Sequence, residues 1–222
     1  MMELDTILTN SKWEILKELS KNPKSPIELA KYFKTTVANM SQQLKILEAY
    51  GIISKTKIQN SEKGKPRTQY YITTDINFII KLSKTNAIKQ QIKKDPINDF
   101  TLNILTNINK KDQYYLLKTF FDYTDIFEKS SIGYLKTNEK NIELFLITNN
   151  LNDAREKISN LEYQNTEGVS KKIVVWSHNK EEIDNGIKQK DKHFLTLIKD
   201  SQILLDETNL LQKYQDQIKE LT

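Results

Sequence analysis

The chain has 222 residues, of which 37% are hydrophobic and 28% charged, so it can build one large core or two modest ones and still be compatible with water. No apolar stretch approaches the ~20 residues of a membrane span. The N-terminus shows no secretory signal pattern, and the absence of cysteine excludes disulfides and thiolate metal sites and fits a cytoplasmic setting. Only two histidines occur, His178 and His193, so the sequence predicts no metal site and no cofactor.

The charge is unevenly divided along the chain. Residues 1–94 contain 17 Lys or Arg and 8 Asp or Glu, a net charge of +9, whereas residues 95–222 contain 17 and 21, a net charge of −4. A basic half is expected where a protein meets phosphates. Two alternative explanations are that lysine-rich helices are simply well solvated and that lysine and asparagine are abundant in an AT-rich genome.

Two helices are predicted first, from apolar spacing and capping residues. One begins at Asn10 or Ser11 and ends at Leu19. The next begins after Ser25, which forms a capping box with Glu28. The apolar residues expected to pack inward from these helices are Trp13, Ile15, Leu16, Leu19, Ile27, Leu29, Ala30 and Phe33.

A recognition helix is predicted from Thr36 to Ala49, with Thr35 or Thr36 as its cap and Thr36 also as a DNA contact. Its core face is expected to consist of Val37, Met40, Leu44 and Leu47. The polar residues left facing outward or sideways are Asn39, Ser41, Gln42, Gln43 and Lys45. Asn and Gln amides pair bidentately with adenine, and Lys reaches guanine or phosphate. This pattern predicts DNA contacts, with an ordinary solvated helix face as the alternative.

A basic hairpin is predicted after Gly51, with strands over residues 54–59 and 67–73. Its predicted contacts with the DNA backbone or minor groove are Lys55, Lys57, Lys63, Lys65 and Arg67. Helix, turn, helix, strand, turn and strand follow the order of a winged helix-turn-helix, which presents one helix to the major groove. A winged helix that binds only proteins is the alternative, and the +9 charge of this half disfavours it.

Residues 40–53 (MSQQLKILEAYGII) and 64–73 (GKPRTQYYIT) resemble ArsR-type winged-helix transcription regulators, particularly archaeal members. Their motif is Ser-x-x-Leu-Lys-x-Leu-x-x-x-Gly, followed by a Gly-(Arg or Lys)-Pro-Arg wing and Tyr-Tyr. The resemblance covers residues ~6–75 and implies a homodimer that binds an inverted repeat near a promoter. Gln43 stands where many members have His, so base preference is not carried over. The cysteine pair of the metal sensors is absent, which argues against metal sensing.

Residues 76–96 are predicted to form a helical linker. One face carries Phe78, Ile79, Leu82, Ile88 and Ile92, and the other carries Lys81, Lys84, Lys89, Lys93 and Lys94. Such a helix would pair with its twin in a dimer or pack on its own winged domain. Asp95-Pro96 ends it, because a residue before proline is biased out of helix. The predicted domains are therefore a winged helix-turn-helix at 1–75, a linker or dimerisation helix at 76–96 and an α/β domain at 97–222.

Residues 97–222 alternate between helical and strand periods. Helices are predicted over 98–108, 111–127, 152–161, 180–188, 191–199 and 208–221, and strands over 131–137, 142–148, 172–177 and 202–205. The order α-α-β-β-α-β-α-α-β-α indicates a mixed α/β domain. The predicted fold class of the whole chain is therefore α+β.

This order, with Ser130, residues 141–148 and residues 193–205, resembles the small nucleotidyltransferase fold, which in archaea is sometimes attached to a winged helix. The resemblance implies two-metal nucleotidyl transfer, which needs a Gly-Ser for the triphosphate and an Asp-x-Asp plus a third carboxylate for the ions. Here Lys129-Ser130 and Asn141-Ile142-Glu143 stand at those positions, and residues 172–177 hold no carboxylate.

One carboxylate of three cannot hold two Mg²⁺ ions, so this domain is expected to be a non-catalytic copy. It would bind an unknown small-molecule effector or serve dimerisation. The sequence therefore predicts a homodimeric DNA-binding transcription regulator rather than an enzyme. The alternative is a nucleotidyltransferase-type enzyme with the winged helix as its targeting module.

Overall fold

The computed structural model describes residues 9–58 and 67–221, without the side chains of Arg67, Lys136 and Leu221. The chain divides into two units between Asn77 and Phe78. The first is built from helices and one hairpin, and the second around a five-stranded sheet.

The described part of the first unit contains a helix-turn-helix and a hairpin. Its elements are α1 (Asn10–Leu19), α2 (Pro26–Tyr32), α3 (Val37–Ala49), β1 (Ile53–Ile58) and β2 (Arg67–Ile72). The predicted capping box is confirmed, because Ser25 Oγ accepts from the Glu28 amide at 3.3 Å and the Ser25 amide donates to Glu28 Oε2 at 2.7 Å. Gly51 follows α3 at φ +71°, the left-handed conformation expected of a glycine at a helix C-terminus. β1 and β2 pair antiparallel, with Ile53 opposite Ile72.

The core of the first unit lies between the three helices and the start of the hairpin. It consists of Ile15, Leu16, Leu19, Leu29, Ala30, Met40, Leu44, Leu47, Ile52, Ile53 and Tyr70. Three residues predicted to be in this core, Trp13, Ile27 and Val37, are exposed instead. The buried stripe of α1 passes through Lys12, Ile15, Leu16 and Leu19, one position away from Trp13. Ile27 and Val37 lie in the first turns of α2 and α3, off their buried stripes.

The prediction of a helical linker over residues 76–96 is wrong. Residues 77–92 form a two-stranded sheet of β3 (Asn77–Leu82) and β4 (Ala87–Ile92). A tight turn joins the strands, in which the Ser83 amide donates to the Asn86 carbonyl at 2.8 Å and the Asn86 amide donates to Ser83 Oγ at 3.1 Å. Isoleucines are frequent in this segment, and β-branched side chains favour strands. Short apolar runs fit the period of a helix as well as the two-residue period of a strand, and the prediction followed the helical period.

The second unit is organised around a five-stranded sheet in the order β7-β8-β6-β5-β9. Its strands are β5 (Ser131–Thr137), β6 (Asn141–Ile147), β7 (Asn160–Gln164), β8 (Ser170–His178) and β9 (Gln202–Leu205). β6 and β8 run parallel, with Ile142 opposite Ile173. The pairs β5–β6, β5–β9 and β7–β8 are antiparallel.

Helices cover both faces of this sheet. They are α4 (Pro96–Asn107), α5 (Lys110–Asp122), α6 (Thr124–Phe127), α7 (Leu151–Ile158), α8 (Lys180–Lys188), α9 (Lys192–Asp200) and α10 (Leu210–Leu221). Alternate residues of β6 face opposite cores. Ile142, Leu144 and Leu146 pack with α4 to α7, whereas Phe145 and Ile147 pack with α8 to α10. The unit therefore has three layers.

The predicted mixed α/β character of the second unit is confirmed, with two differences in its elements. The helix predicted over 111–127 is divided at Tyr123 into α5 and α6. The sequence analysis also missed β7, a short edge strand in which only Leu161 and Tyr163 are partly buried. No Gly or Pro separates β7 from α7, so the usual boundary signal is lacking there.

Candidate nucleic-acid interface

The start of α3 is fixed by two threonines. The Asn39 amide donates to Thr36 Oγ1 at 3.2 Å, so Thr36 is the cap of the two threonines predicted. Asn39 Nδ2 donates to Thr35 Oγ1 at 3.0 Å. The Asn39 side chain is exposed but held by this bond, so its carbonyl oxygen is the atom best placed to accept from a ligand.

The candidate residues of α3 divide by their position around the helix. Asn39, Gln42 and Lys45 are exposed and follow one another at three-residue spacing. At 100° per residue this stripe lies opposite the buried stripe of Met40, Leu44 and Leu47. Ser41 and Gln43 lie at the two edges of the buried stripe and are half-buried. The exposed stripe is therefore the part of α3 that a groove would meet first.

Gln43 is directed partly into the protein. Its Oε1 atom is buried and has no hydrogen-bond partner. Gln43 lines a cavity of about 400 Å³ whose other walls include Asn10, Ser11 and Glu14 of α1 and Phe33. A glutamine pairs bidentately with adenine only when both its oxygen and its nitrogen reach the base. In this conformation the amide nitrogen alone is left for an outside contact.

The candidate lysines of the hairpin differ in their surroundings. Lys55 Nζ lies 3.1 Å from a Glu48 carboxylate oxygen, and this hydrogen bond raises the pKa of Lys55. Lys57 is exposed and has no ion pair within the described residues. Lys63 and Lys65 lie outside the described residues, and of Arg67 only the backbone is described, opposite Ile58. Lys57 is therefore the better placed of the two described lysines for a phosphate.

In the second unit, the groups at the nucleotidyltransferase positions are engaged elsewhere. Ser130 is buried, and its hydroxyl donates to the Ile126 carbonyl at 2.7 Å. Glu143 accepts a hydrogen bond from Trp176 Nε1 at 3.2 Å. Across residues 9–58 and 67–221, no three or more His, Asp or Glu side chains are grouped to hold a metal ion. The described residues therefore give no support to nucleotidyl transfer.

His178, at the end of β8, is held in a mostly apolar pocket. Its Nδ1 lies 2.9 Å from Glu182 Oε2, and its Nε2 is buried without a partner. The Phe194 ring packs 4.8 Å away, and Glu182 also binds Arg155 at 3.0 Å. Burial lowers the pKa of His178, although Glu182 acts in the opposite direction. His178 is therefore neutral at pH 7 and donates its Nδ1 proton to the carboxylate.

We expect the free energy of unfolding to fall as the pH drops below about 6.5, the ordinary pKa of histidine. The pKa of His178 is lower in the folded state, so the unfolded state binds more protons below that pH and is favoured. Denaturant unfolding at pH 7.5, 6.5 and 5.5 checks this. The His178→Gln variant should lose part of the pH dependence that the wild type shows. Equal pH dependence in this variant and in the wild type would contradict the assignment.

A polar cavity of about 350 Å³ lies at the ends of β6 and β9 and the start of β5. Its walls include the buried hydroxyl residues Ser130, Ser131 and Thr148. Its charged residues are Glu128, Lys129, Lys180 and Glu207. The helices that follow parallel β6 and β8 lie on opposite sheet faces, and a ligand crevice in α/β sheets is typical of such a point.

Comparison with known proteins concerns the first unit. Residues 10–55, about a fifth of the chain, match the family model described as bacterial regulatory protein, arsR family. The match covers α1, α2, α3 and the beginning of β1. No curated protein matches the chain. Within the described residues, no helix is long and apolar enough to cross a membrane. The chain therefore carries an ArsR-family helix-turn-helix domain at residues 10–55, which supports a DNA-binding transcription regulator.

Proposed function

We propose that the protein is a homodimeric transcription regulator that places α3 in the DNA major groove. The single observation that carries this proposal is the coincidence of the arsR-family match with a helix whose exposed stripe is amide, amide and ammonium. Neutral amides and a lysine are the groups that read base edges, and an acidic stripe would be repelled by phosphate.

The proposed contacts fall on two elements. On α3 they are Thr36, Asn39, Ser41, Gln42, Gln43 and Lys45. On the β1–β2 hairpin, acting as a wing on the adjacent backbone or minor groove, they are Lys55, Lys57, Lys63, Lys65 and Arg67. Lys55 would have to exchange its Glu48 partner for a phosphate, which lowers what it contributes.

A dimer follows from the length of DNA that one recognition helix can read. A single helix covers only a few base pairs, and two-fold dimers of helix-turn-helix proteins read half-sites one turn, about 34 Å, apart. The homodimer implied by the arsR resemblance would therefore bind an inverted repeat.

Binding to a genomic fragment library at several salt concentrations, followed by sequencing, tests this proposal. We expect one palindromic site to be enriched and log affinity to fall linearly with log salt. Retention without sequence preference would contradict a regulator and indicate an architectural DNA binder. No retention at moderate salt would remove DNA binding altogether.

For residues 97–222 we propose effector binding or dimerisation, without catalysis. The polar cavity at the ends of β6 and β9 supports an effector, because it brings together Glu128, Lys129 and Glu207, which carry charges of both signs. Such a lining suits a small molecule with both charges, such as a free amino acid. Release of the operator by one amino acid, absent in Lys129→Ala, would support this role. If no amino acid changes operator binding, dimerisation remains as the proposed role of residues 97–222.

A further inference from the structure

The two-stranded sheet of β3 and β4, here called the β3–β4 ribbon (residues 77–92), is unusually basic. The segment 77–94 holds five lysines and no Asp or Glu. They are Lys81, Lys84, Lys89, Lys93 and Lys94. Lys81, Lys84 and Lys93 are exposed and have no ion pair among the described residues. The sequence analysis noted this basic face but assigned it to a helix.

The ribbon also exposes large apolar side chains. Ile80 is 66% exposed and Leu82, directly before the turn, is 84% exposed. β3 and β4 join no other strand of the described chain. A two-stranded ribbon alone is marginally stable in water, so a binding partner that covers it would stabilise it.

We propose that the β3–β4 ribbon is a second DNA-binding element, which contacts phosphates and groove edges beyond those met by α3 and the β1–β2 hairpin. This inference rests on the proposed function and extends it. A six-residue strand spans about 20 Å, and the DNA groove admits a two-stranded ribbon. Over that length a duplex presents phosphates at about 1.7 Å intervals of its axis.

Both chemical features of the ribbon suit DNA. Lysines along the strands and at the turn match the phosphate backbone. Exposed Ile80 and Leu82 match thymine methyl groups or a base step, where proteins insert aliphatic side chains. A second copy of the ribbon is a less suitable binding partner than DNA. Pairing two copies would bring Lys81, Lys84 and Lys93 of both chains together, and residues 77–94 supply no carboxylate to neutralise them.

The test compares two triple variants of the full chain that remove the same number of positive charges. The ribbon variant is Lys81→Ala/Lys84→Ala/Lys93→Ala. The control is Lys110→Ala/Lys188→Ala/Lys213→Ala, which removes exposed lysines of the second unit. Each is measured on a 40-base-pair duplex with the enriched site and on a random duplex, across a salt series. Melting temperatures establish that both variants fold.

We expect the ribbon variant to lower the magnitude of the salt slope by about 2 to 3 per chain, because each phosphate that a lysine neutralises adds about 0.9 to the slope. The loss of affinity should be similar on the two duplexes, because phosphate contacts carry no sequence information. The control should change the slope little. Equal slopes for the two variants, with wild type still bound to its site, would overturn the ribbon proposal and leave the proposed function intact.

A further variant, Ile80→Asp/Leu82→Asp, separates DNA from a second copy. If the ribbon binds DNA, this variant should weaken DNA binding and leave the oligomeric state unchanged in analytical ultracentrifugation. Dissociation to monomers, together with a salt slope in the lysine variant that equals the control, would make the ribbon an interface between copies and reject the DNA assignment. No DNA binding by the wild type itself would instead reject the proposed function.

Discussion

Asp112→Ala is expected to lower the free energy of unfolding by about 3–5 kcal/mol, because it leaves a buried ammonium group without its counter-charge. Lys171 Nζ on β8 lies 2.7 Å from Asp112 Oδ1 on α5, and the two side chains are 8% and 2% exposed. Lys171 also donates to the Asn138 carbonyl at 3.1 Å. One carbonyl acceptor cannot replace a carboxylate as the partner of an ammonium group that is buried away from water.

Chemical unfolding followed by circular dichroism measures this loss. Asp216→Ala is the control, since it breaks the exposed Asp216–Lys219 pair at 3.0 Å and should change the unfolding midpoint little. The double variant Asp112→Ala/Lys171→Met should recover most of the loss, because replacing both partners removes the unpaired charge. If Asp112→Ala unfolds like Asp216→Ala, water reaches Lys171 and the pair is not buried in solution.

Local chemistry made much of the first unit predictable. The Ser25–Glu28 capping box, the cap at Thr36 and the left-handed Gly51 each depend on residues within a few positions of one another. Such features are readable from the sequence because no distant partner is needed. Exposure of Trp13 and Ile27 was not readable in this way, since it depends on the angle at which each helix meets its neighbours.

The β3–β4 ribbon shows the opposite case. Phe78, Ile79 and Leu82 are spaced for a helix, yet the same run alternates well enough for a strand, and pairing with β4 decides between them. β7 was missed because an edge strand with two inward side chains carries little pattern. In both places the pairing partner, rather than the segment itself, selects the strand.

The residues of the candidate site also differ in how far the sequence alone predicts their positions. The exposed stripe of Asn39, Gln42 and Lys45 follows from helical spacing alone. The inward Oε1 of Gln43 does not, because it depends on where α1 packs. Neither did the sequence show that Lys55 is paired with Glu48, which requires β1 to return beside α3.

The second large expected effect concerns sequence discrimination by Gln42. Gln42→Ala is expected to lower discrimination between the enriched operator and its single-base variants by about 1–3 kcal/mol at one base pair in each half-site, the value of one bidentate amide contact. Gln42 is exposed, so both ends of its amide reach outward. The measurement is a set of competition titrations against duplexes that carry each single-base change.

Gln43→Ala is the matched control, with the same atoms removed one position along the same helix. Its buried Oε1 cannot take part in a bidentate contact, so discrimination should fall less than in Gln42→Ala. Gln43→Ala removes a buried acceptor that has no partner, so we expect the free energy of unfolding to change little. Equal losses of discrimination would mean that Gln43 turns outward when DNA is bound. A uniform loss across all duplexes for Gln42→Ala would mean that it contacts only the backbone.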